Sequence, residues 1–222
     1  METADFYDLR GKSAMEIKFR GFGSQAFVTK FRAPYEYYEE KLPLPKIGTN
    51  FLDLGCGTGI HSIFAARLGY NVTGIDISKK SLEAAGHIAD FFHVKNHCSF
   101  FATDAYEFLR TSQEFDVIFT SGSLYYFDIR KIILLIKEKL KPNGSFFCIE
   151  TNGSNWFLNK TRKFRYSEQE RDQRTTDHLL KLEDIKYLRE QFPVSEVKHF
   201  GIYSIPVPPS LSFKFVFHGR KS

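Results

Sequence analysis

The segment Asp53-Leu54-Gly55-Cys56-Gly57-Thr58-Gly59 sets alternate glycines behind a carboxylate, between a short apolar run and an amphipathic one. Glycines at such a junction let the chain turn tightly and let its backbone approach a ligand closely. The helix that follows presents unpaired N–H groups to an electronegative group such as a carboxylate. About twenty residues further on, Asp76 ends a second apolar run, where its carboxylate can accept hydrogen bonds from both hydroxyls of a ribose. A third acid, Asp104 in Phe101-Ala102-Thr103-Asp104-Ala105, follows a third run and can accept from an adenine amino group. Asp104 is also suited to cap the short helix Ala105 to Leu109. Together these residues describe a nucleoside site.

Two kinds of nucleoside ligand use a glycine loop paired with an acid in this way. The dinucleotide fingerprint is G-x-G-x-x-G, whose loop cradles a pyrophosphate. Here the third glycine comes one residue early, and Ile60 stands where it should be. Asp53 lies beside the loop, in reach of a cationic ammonium and poorly placed beside a pyrophosphate. S-adenosylmethionine (SAM) has that ammonium, and NAD does not. Tyr37 and Lys41 share the Tyr-x-x-x-Lys spacing of one dehydrogenase family, but they precede the first strand, where that pair would not lie.

Phe51 to Gly59, Gly74 to Ser78, Phe101 to Ala105 and Phe115 to Tyr126 resemble, in order and spacing, the successive motifs of the class I SAM-dependent methyltransferases. The resemblance covers roughly Asn50 to Glu150. It implies a Rossmann-like α/β fold of three layers, with a seven-stranded, mostly parallel sheet, helices on both faces and the last strand antiparallel. By position, Asp53, Gly55, Cys56, Gly57 and Gly59 are implied to surround the methionine part of the cofactor. Asp76 and Ile77 would hold and flank the ribose, Asp104 and Ala105 would meet the adenine, and Thr120 and Ser121 would end the fourth strand beneath the sulfonium. The fourth-strand segment lacks the Asn/Asp-Pro-Pro-Tyr sequence that marks methylation of nucleobase amino groups or glutamine amides. It also lacks the acidic pair that holds magnesium in catechol-type O-methyltransferases, so the expectation is SAM, with S-adenosylhomocysteine as product, and no metal.

The elements that must position these residues follow from periodicity. Phe51–Leu54, Asn71–Ile75, Ser99–Ala102, Phe115–Thr120 and Ser145–Glu150 read as buried strands, and Val194–His199 and Phe213–His218 as two late ones. Helices are predicted over Ile60–Leu68 with Gly69 at the C-cap, after Ser78 and after Asp128 as N-caps, and near Leu182–Phe192. Pro142 and Gly144 are read as ending the helix that Asp128 starts. The chain of 222 residues is read as one structural domain, with residues 1–50 as a helical N-terminal lid and 51–222 as the SAM-binding core. A substrate-side insertion is placed near 151–178, in a polar, basic and irregular stretch.

Candidates for the acceptor side are fewer. Tyr125 and Tyr126 are read as lining the substrate pocket or as packing residues, and His178 as a general base or a solvated loop residue. Tyr7, Arg20, Phe22 and Phe31, with the segment Thr151 to His178, are the expected substrate walls. A small or medium-sized metabolite is the expected acceptor. The net charge of +5 and a basic stretch from Lys160 to Arg174, interleaved with Trp156, Phe157, Phe164 and Tyr166, keep an RNA-modifying enzyme as the alternative, beside a non-catalytic SAM-binding protein. Cys56, Cys98 and Cys148 are widely spaced and fit a reduced cytoplasmic protein. The acidic start does not read as a signal peptide, and no apolar run approaches the roughly 20 residues of a membrane span. Membrane insertion is therefore not expected, and the sequence does not speak to oligomeric state.

Overall fold

The computed structural model describes residues 21–167 and 178–222. Its strands are β1 (Asn50–Leu54), β2 (Asn71–Asp76), β3 (Cys98–Ala102), β4 (Phe115–Ser121), β5 (Leu140–Thr151), β6 (Val194–Phe200) and β7 (Lys214–Arg220). They form one sheet in the order β3-β2-β1-β4-β5-β7-β6. The pairs from β3 through to β5 are parallel, while β7 runs antiparallel to both neighbours, β5 and β6. The order steps outward from β1 to β2 and β3 on one side and starts again at β4 on the other. Connections after β1 and β4 therefore diverge, and a crevice opens at the carboxyl ends of these two strands.

Side chains alternate across each strand, which splits the core into two layers. Phe51, Val117, Phe119, Phe147 and Ile149 face α1 (Thr29–Lys41), α2 (Ile60–Leu68) and α3 (Lys79–Phe91). Leu52, Leu54, Ile118, Phe146 and Phe215 face α4 (Ala105–Thr111), α5 (Ile129–Lys139) and α7 (Leu182–Gln191). Rings fill much of the first layer: Tyr38 of α1 is fully buried, with its ring centroid 4.4 Å from that of Phe119 and 5.3 Å from that of Phe147. The helix ends are set by the expected caps. Ser78 Oγ accepts from Ser81 N–H, Asp128 accepts from Arg130 and Lys131 N–H, and Gly69 adopts φ 104° past the end of α2.

Three readings need correction. The fifth strand starts at Leu140, directly after α5 ends at Lys139, so Pro142 and Gly144 lie within it and do not end the helix. Leu140 pairs with Phe115, and the register then jumps to Val117 with Ser145; the extra residues bulge out, with Asn143 at φ 62° and Lys141 bound to Asp116 at 2.8 Å. A bulge accommodates residues that periodicity reads as breakers. The stretch read as irregular contains α6 (Trp156–Ser167), started by Asn155 Oδ1 accepting from Leu158 N–H at 3.0 Å. Asn155 and Asn152 also donate to carbonyls of the Pro-rich turn at Leu211 and Pro209, both at 2.7 Å, which anchors the segment to the edge of β7. The third concerns Phe22: its ring packs edge-on against Phe92 at 5.2 Å and under Arg67 at 4.8 Å, residues at the far ends of α3 and α2. Both helices begin at the glycine-loop edge, so Phe22 lies at the opposite edge and is no substrate wall. Tyr7 and Arg20 lie outside the described residues.

Two glycines of this frame respond oppositely to the same change. Gly86 sits inside α3 with open space around a prospective Cβ, whereas Gly59 has φ 76° and its Cβ would fall 2.9 Å from that of Ala85. Urea denaturation is expected to show Gly86→Ala stabilising by about 0.5–1 kcal/mol. Gly59→Ala is expected to destabilise by at least about 1–2 kcal/mol.

Candidate active site

At the end of β1 the chain enters the glycine loop, and hydrogen bonds fix that loop on both sides. Gly55 and Cys56 both donate to Ile75 O, at 2.9 and 3.0 Å, and Gly57 N–H donates to Asp76 Oδ2 at 2.8 Å. Asp76 Oδ1 accepts from Ser78 N–H at 2.9 Å, so one carboxylate joins the loop to the start of α3. Gly55, Gly57 and Gly59 all have positive φ. Their surroundings differ. A Cβ on Gly55 would lie 2.8 Å from Ser123, and one on Gly59 would meet Ala85, but one on Gly57 would meet nothing within 4 Å. Gly57 therefore turns a bare backbone toward open space. Gly59, the N-cap of α2, has no side chain to satisfy the first-turn N–H groups, which leaves them for a ligand's carboxylate. Cys56 contributes backbone to this cradle while its Sγ lies 3.0 Å from a prospective Cβ on Gly74 of β2.

Asp53 lies beneath the loop, 2% exposed, and accepts from Ser62 Oγ at 2.6 Å. Burial pushes its carboxyl up to about 7, against the pull of the Ser62 bond and with a further push from Asp76. A cation held above it would favour the ionised form. Along the same edge, Ile77 is 46% exposed and Phe101 49% exposed, two apolar side chains left open beside the end of β2. Asp104 caps α4: its Oδ1 accepts from Tyr106 and Glu107 N–H at 2.8 and 3.1 Å, and Ala105 is buried behind it.

Thr120 and Ser121 end β4, as the sequence predicts. Thr120 is fully buried, and its hydroxyl donates to Leu54 O at 2.9 Å and touches Ser123 Oγ, so it braces β4 against β1 and offers no side chain to a ligand. Ser121, half-buried, is the residue that ends the strand. Tyr125 and Tyr126 lie in the short turn that follows, ring centroids 4.3 Å apart; Tyr125 leans on the α4–α5 side of the core and Tyr126 is exposed. His178 is exposed, and its ring makes no hydrogen bond to a described residue. Two residues further on, the chain is tied just past the end of β5, where Leu180 O accepts from Gly153 N–H at 2.7 Å.

Sequence reasoning missed three residues at this edge. Glu150, at the end of β5, is fully buried, and its Oε1 accepts from Ser123 and Leu124 N–H at 3.0 and 2.9 Å. Ser123 Oγ in turn donates to Leu54 O at 3.0 Å. His61, in the first turn of α2, is enclosed by Phe119, Tyr35 and Phe27, with centroids at 4.7, 5.4 and 5.9 Å. Burial, with Lys214 adding to it, lowers its pKa to about 3, so the ring is neutral, and its Nδ1 has no hydrogen-bond partner among the described residues. The only signals in the sequence were an acid closing an apolar strand and a histidine on an apolar helix face. Among the described residues no His, Cys, Asp or Glu cluster could hold a metal, and no helix is long and apolar enough to cross a membrane.

Residues 45–191 match a family model described as a methyltransferase domain. Ubiquinone biosynthesis O-methyltransferase of Pelagibacter ubique (strain HTCC1062) is 36% identical over 114 residues, covering 50% of this chain and 44% of the relative. The mitochondrial protein of the same name from Schizosaccharomyces pombe is 35% identical over 98 residues, 44% of this chain and 36% of its own. The matched stretch thus spans less than half of these relatives. Among solved structures, geranyl diphosphate C-methyltransferase from Streptomyces coelicolor A3(2) superposes with a TM-score of 0.67 at 14% identity, over 99% of this chain and 96% of that one. That is a likeness of fold. With the family match over most of the core, the sheet order and the cradle at its carboxyl edge, the chain belongs to the class I SAM-dependent methyltransferase family.

Proposed function

We propose that the protein moves the methyl of SAM to a nucleophile on a small or medium-sized metabolite, and that this nucleophile is an oxygen. The observation that carries the first part is the open face of Gly57 between the uncapped start of α2 and the Asp76 carboxylate. Support for the oxygen comes from the O-methyltransferases among the relatives. In this reading the first turn of α2 receives the cofactor's carboxylate, Asp53 faces its ammonium, Asp76 holds the ribose, and Ile77 and Ala105 flank the nucleoside. SAM, when bound, supplies a methyl already activated by positive sulfur. The chain's own residues supply alignment and exclusion of water.

On the acceptor side, the start of α1, the segment from Thr151 to His178 (of which 168–177 lie outside the described residues) and the pair Tyr125 and Tyr126 are the proposed walls. The division into a lid over residues 1–50, a core over 51–222 and an insertion near 151–178 belongs to the same proposal, as does a cytoplasmic location. Phe31 suits the wall, since its ring stacks on Phe213 at 4.9 Å beside the start of β7. His178 is the base that takes the hydroxyl proton as the new carbon–oxygen bond forms and the carbon–sulfur bond breaks.

The test is transfer of labelled methyl from SAM to a panel of small hydroxylated acceptors, with amines, thiols and RNA in parallel. Transfer to hydroxyl oxygen is expected, whereas transfer to RNA alone, or to nothing, contradicts the proposal. With the acceptor in hand, His178→Ala should lower kcat by about 10²–10⁴-fold. Unchanged turnover removes that role. Asp53→Asn should weaken SAM and its demethylated product by similar factors, because both carry the ammonium; selective loss of one would place Asp53 elsewhere.

A further inference from the structure

A fully buried carboxylate at the end of an otherwise apolar strand is costly and calls for a physical reason. Glu150 follows Phe146, Phe147, Cys148 and Ile149, all fully buried, and retains no exposure itself. One of its oxygens, Oε2, has no hydrogen-bond partner among the described residues. The other accepts two consecutive backbone N–H groups, those of Ser123 and Leu124. These N–H groups converge because Gly122 turns with φ 65° at the exit of β4 and Ser123 follows at φ −128° and ψ −18°. Successive N–H groups in such a turn form a concavity that favours an anion. Burial pushes the Glu150 carboxyl up to about 7, against the pull of the Leu124 N–H, of Lys214 on β7 and of the Ser123 and Gly122 N–H groups.

The turn held in this way touches both halves of the candidate site. Ser123 stands against the glycine loop: its side chain lies 2.8 Å from where a Cβ on Gly55 would be, and its hydroxyl donates to Leu54 O. Tyr125 and Tyr126 come next in the chain, in the turn that begins at Leu124. A shift of this turn would move the floor of the cofactor cradle and the tyrosine pair together. Sheet hydrogen bonding reaches only as far as Gly122, whose N–H donates to Ile149 O on β5 at 3.0 Å, and the next two N–H groups, those of Ser123 and Leu124, go to Glu150.

We propose that Glu150 is a positioning residue for methyl transfer, holding the Gly122–Leu124 turn so that the glycine loop and the Tyr125–Tyr126 pair keep one spacing. This rests on the methyltransferase reading of the site. Glu150 touches neither cofactor nor acceptor in this account and acts only through the backbone it binds. A carboxylate is suited to the task because a single oxygen can satisfy two N–H groups, and an apolar residue there would leave both buried and unpaired.

The test measures binding of S-adenosylhomocysteine, which cannot turn over, to the full chain by calorimetry. Wild type is compared with Glu150→Ala, Glu150→Asp and Glu150→Gln, at a temperature where circular dichroism shows each to be folded. Glu150→Asp withdraws the acceptor by one methylene and keeps the charge, so it carries the test if the alanine variant does not fold. Glu150→Ala and Glu150→Asp should bind about tenfold or more weakly, and Glu150→Gln within about threefold of wild type, because its amide oxygen can accept the same two bonds. Wild-type affinity in a folded Glu150→Asp, or a Glu150→Gln as weak as the alanine variant, overturns the proposal. Failure of the wild type to bind at all is a different result and overturns the cofactor reading instead.

Discussion

The carbonyl oxygen of Leu54 is where the structure is most constrained. It ends β1, and it accepts hydrogen bonds from the hydroxyls of Thr120 and Ser123, at 2.9 and 3.0 Å, across the gap to the end of β4. One residue later, the N–H groups of Gly55 and Cys56 both turn the other way, to Ile75 O of β2. The chain is thus tied left and right at the point where the sheet order reverses, and the glycine loop rises from that fixed base. The positive φ of Gly55, the open face of Gly57 and the cap-free start of α2 all follow from a chain that must leave a strand, cross the strand ends and enter a helix within five residues.

The energetics of this edge differ from those of the rest of the core. Elsewhere the two layers are filled by aliphatic and aromatic side chains, and burial is favourable without condition. At the carboxyl edge two carboxylates are buried, Asp53 and Glu150, each raised to about 7. Two histidines are shifted the other way, His61 at this edge to about 3 and His218, on β7 beside the start of the paired part of β5, to about 4, both mainly by burial. The carboxylates favour the fold fully below their ordinary values near 4, and that contribution is lost as pH rises through about 7. The histidines contribute fully above about 6.5, and theirs is lost as pH falls through about 4 and then about 3. Between roughly pH 4.5 and 6.5 the two effects oppose each other, which reduces their combined pH dependence there.

Much of the fold is legible in the sequence because its signals are local. Ser78, Asp128 and Gly69 announce helix ends within three residues of the groups they satisfy, and the alternation of runs gives the order of strands and helices. The glycine loop and Asp76 are legible for the same reason, since their relation is a spacing along the chain. What the sequence hides is long-range. Glu150 meets Ser123 and Leu124, and Ser123 meets Leu54, only after the strands pair, across separations of 26 to 69 residues. The early start of β5 is hidden because a bulge makes room for Pro142, Asn143 and Gly144. Helix α6 is hidden because its anchoring comes from buried asparagines that bond to the Pro-rich turn more than fifty residues away. Thr120 illustrates the limit of motif transfer: its position along the strand is as expected, but its hydroxyl is committed to Leu54 O.

The methyltransferase reading requires the cradle at the carboxyl edge of β1 and β2 to hold SAM in one orientation. A crystal structure of the full chain grown with S-adenosylhomocysteine tests it most directly. The ligand's carboxylate is expected at the first turn of α2, its methionine chain over Gly57 and its ribose hydroxyls on Asp76. A ligand bound elsewhere, or a cradle that excludes it and takes NAD with the pyrophosphate on the glycine loop, would overturn the assignment of SAM to this cradle.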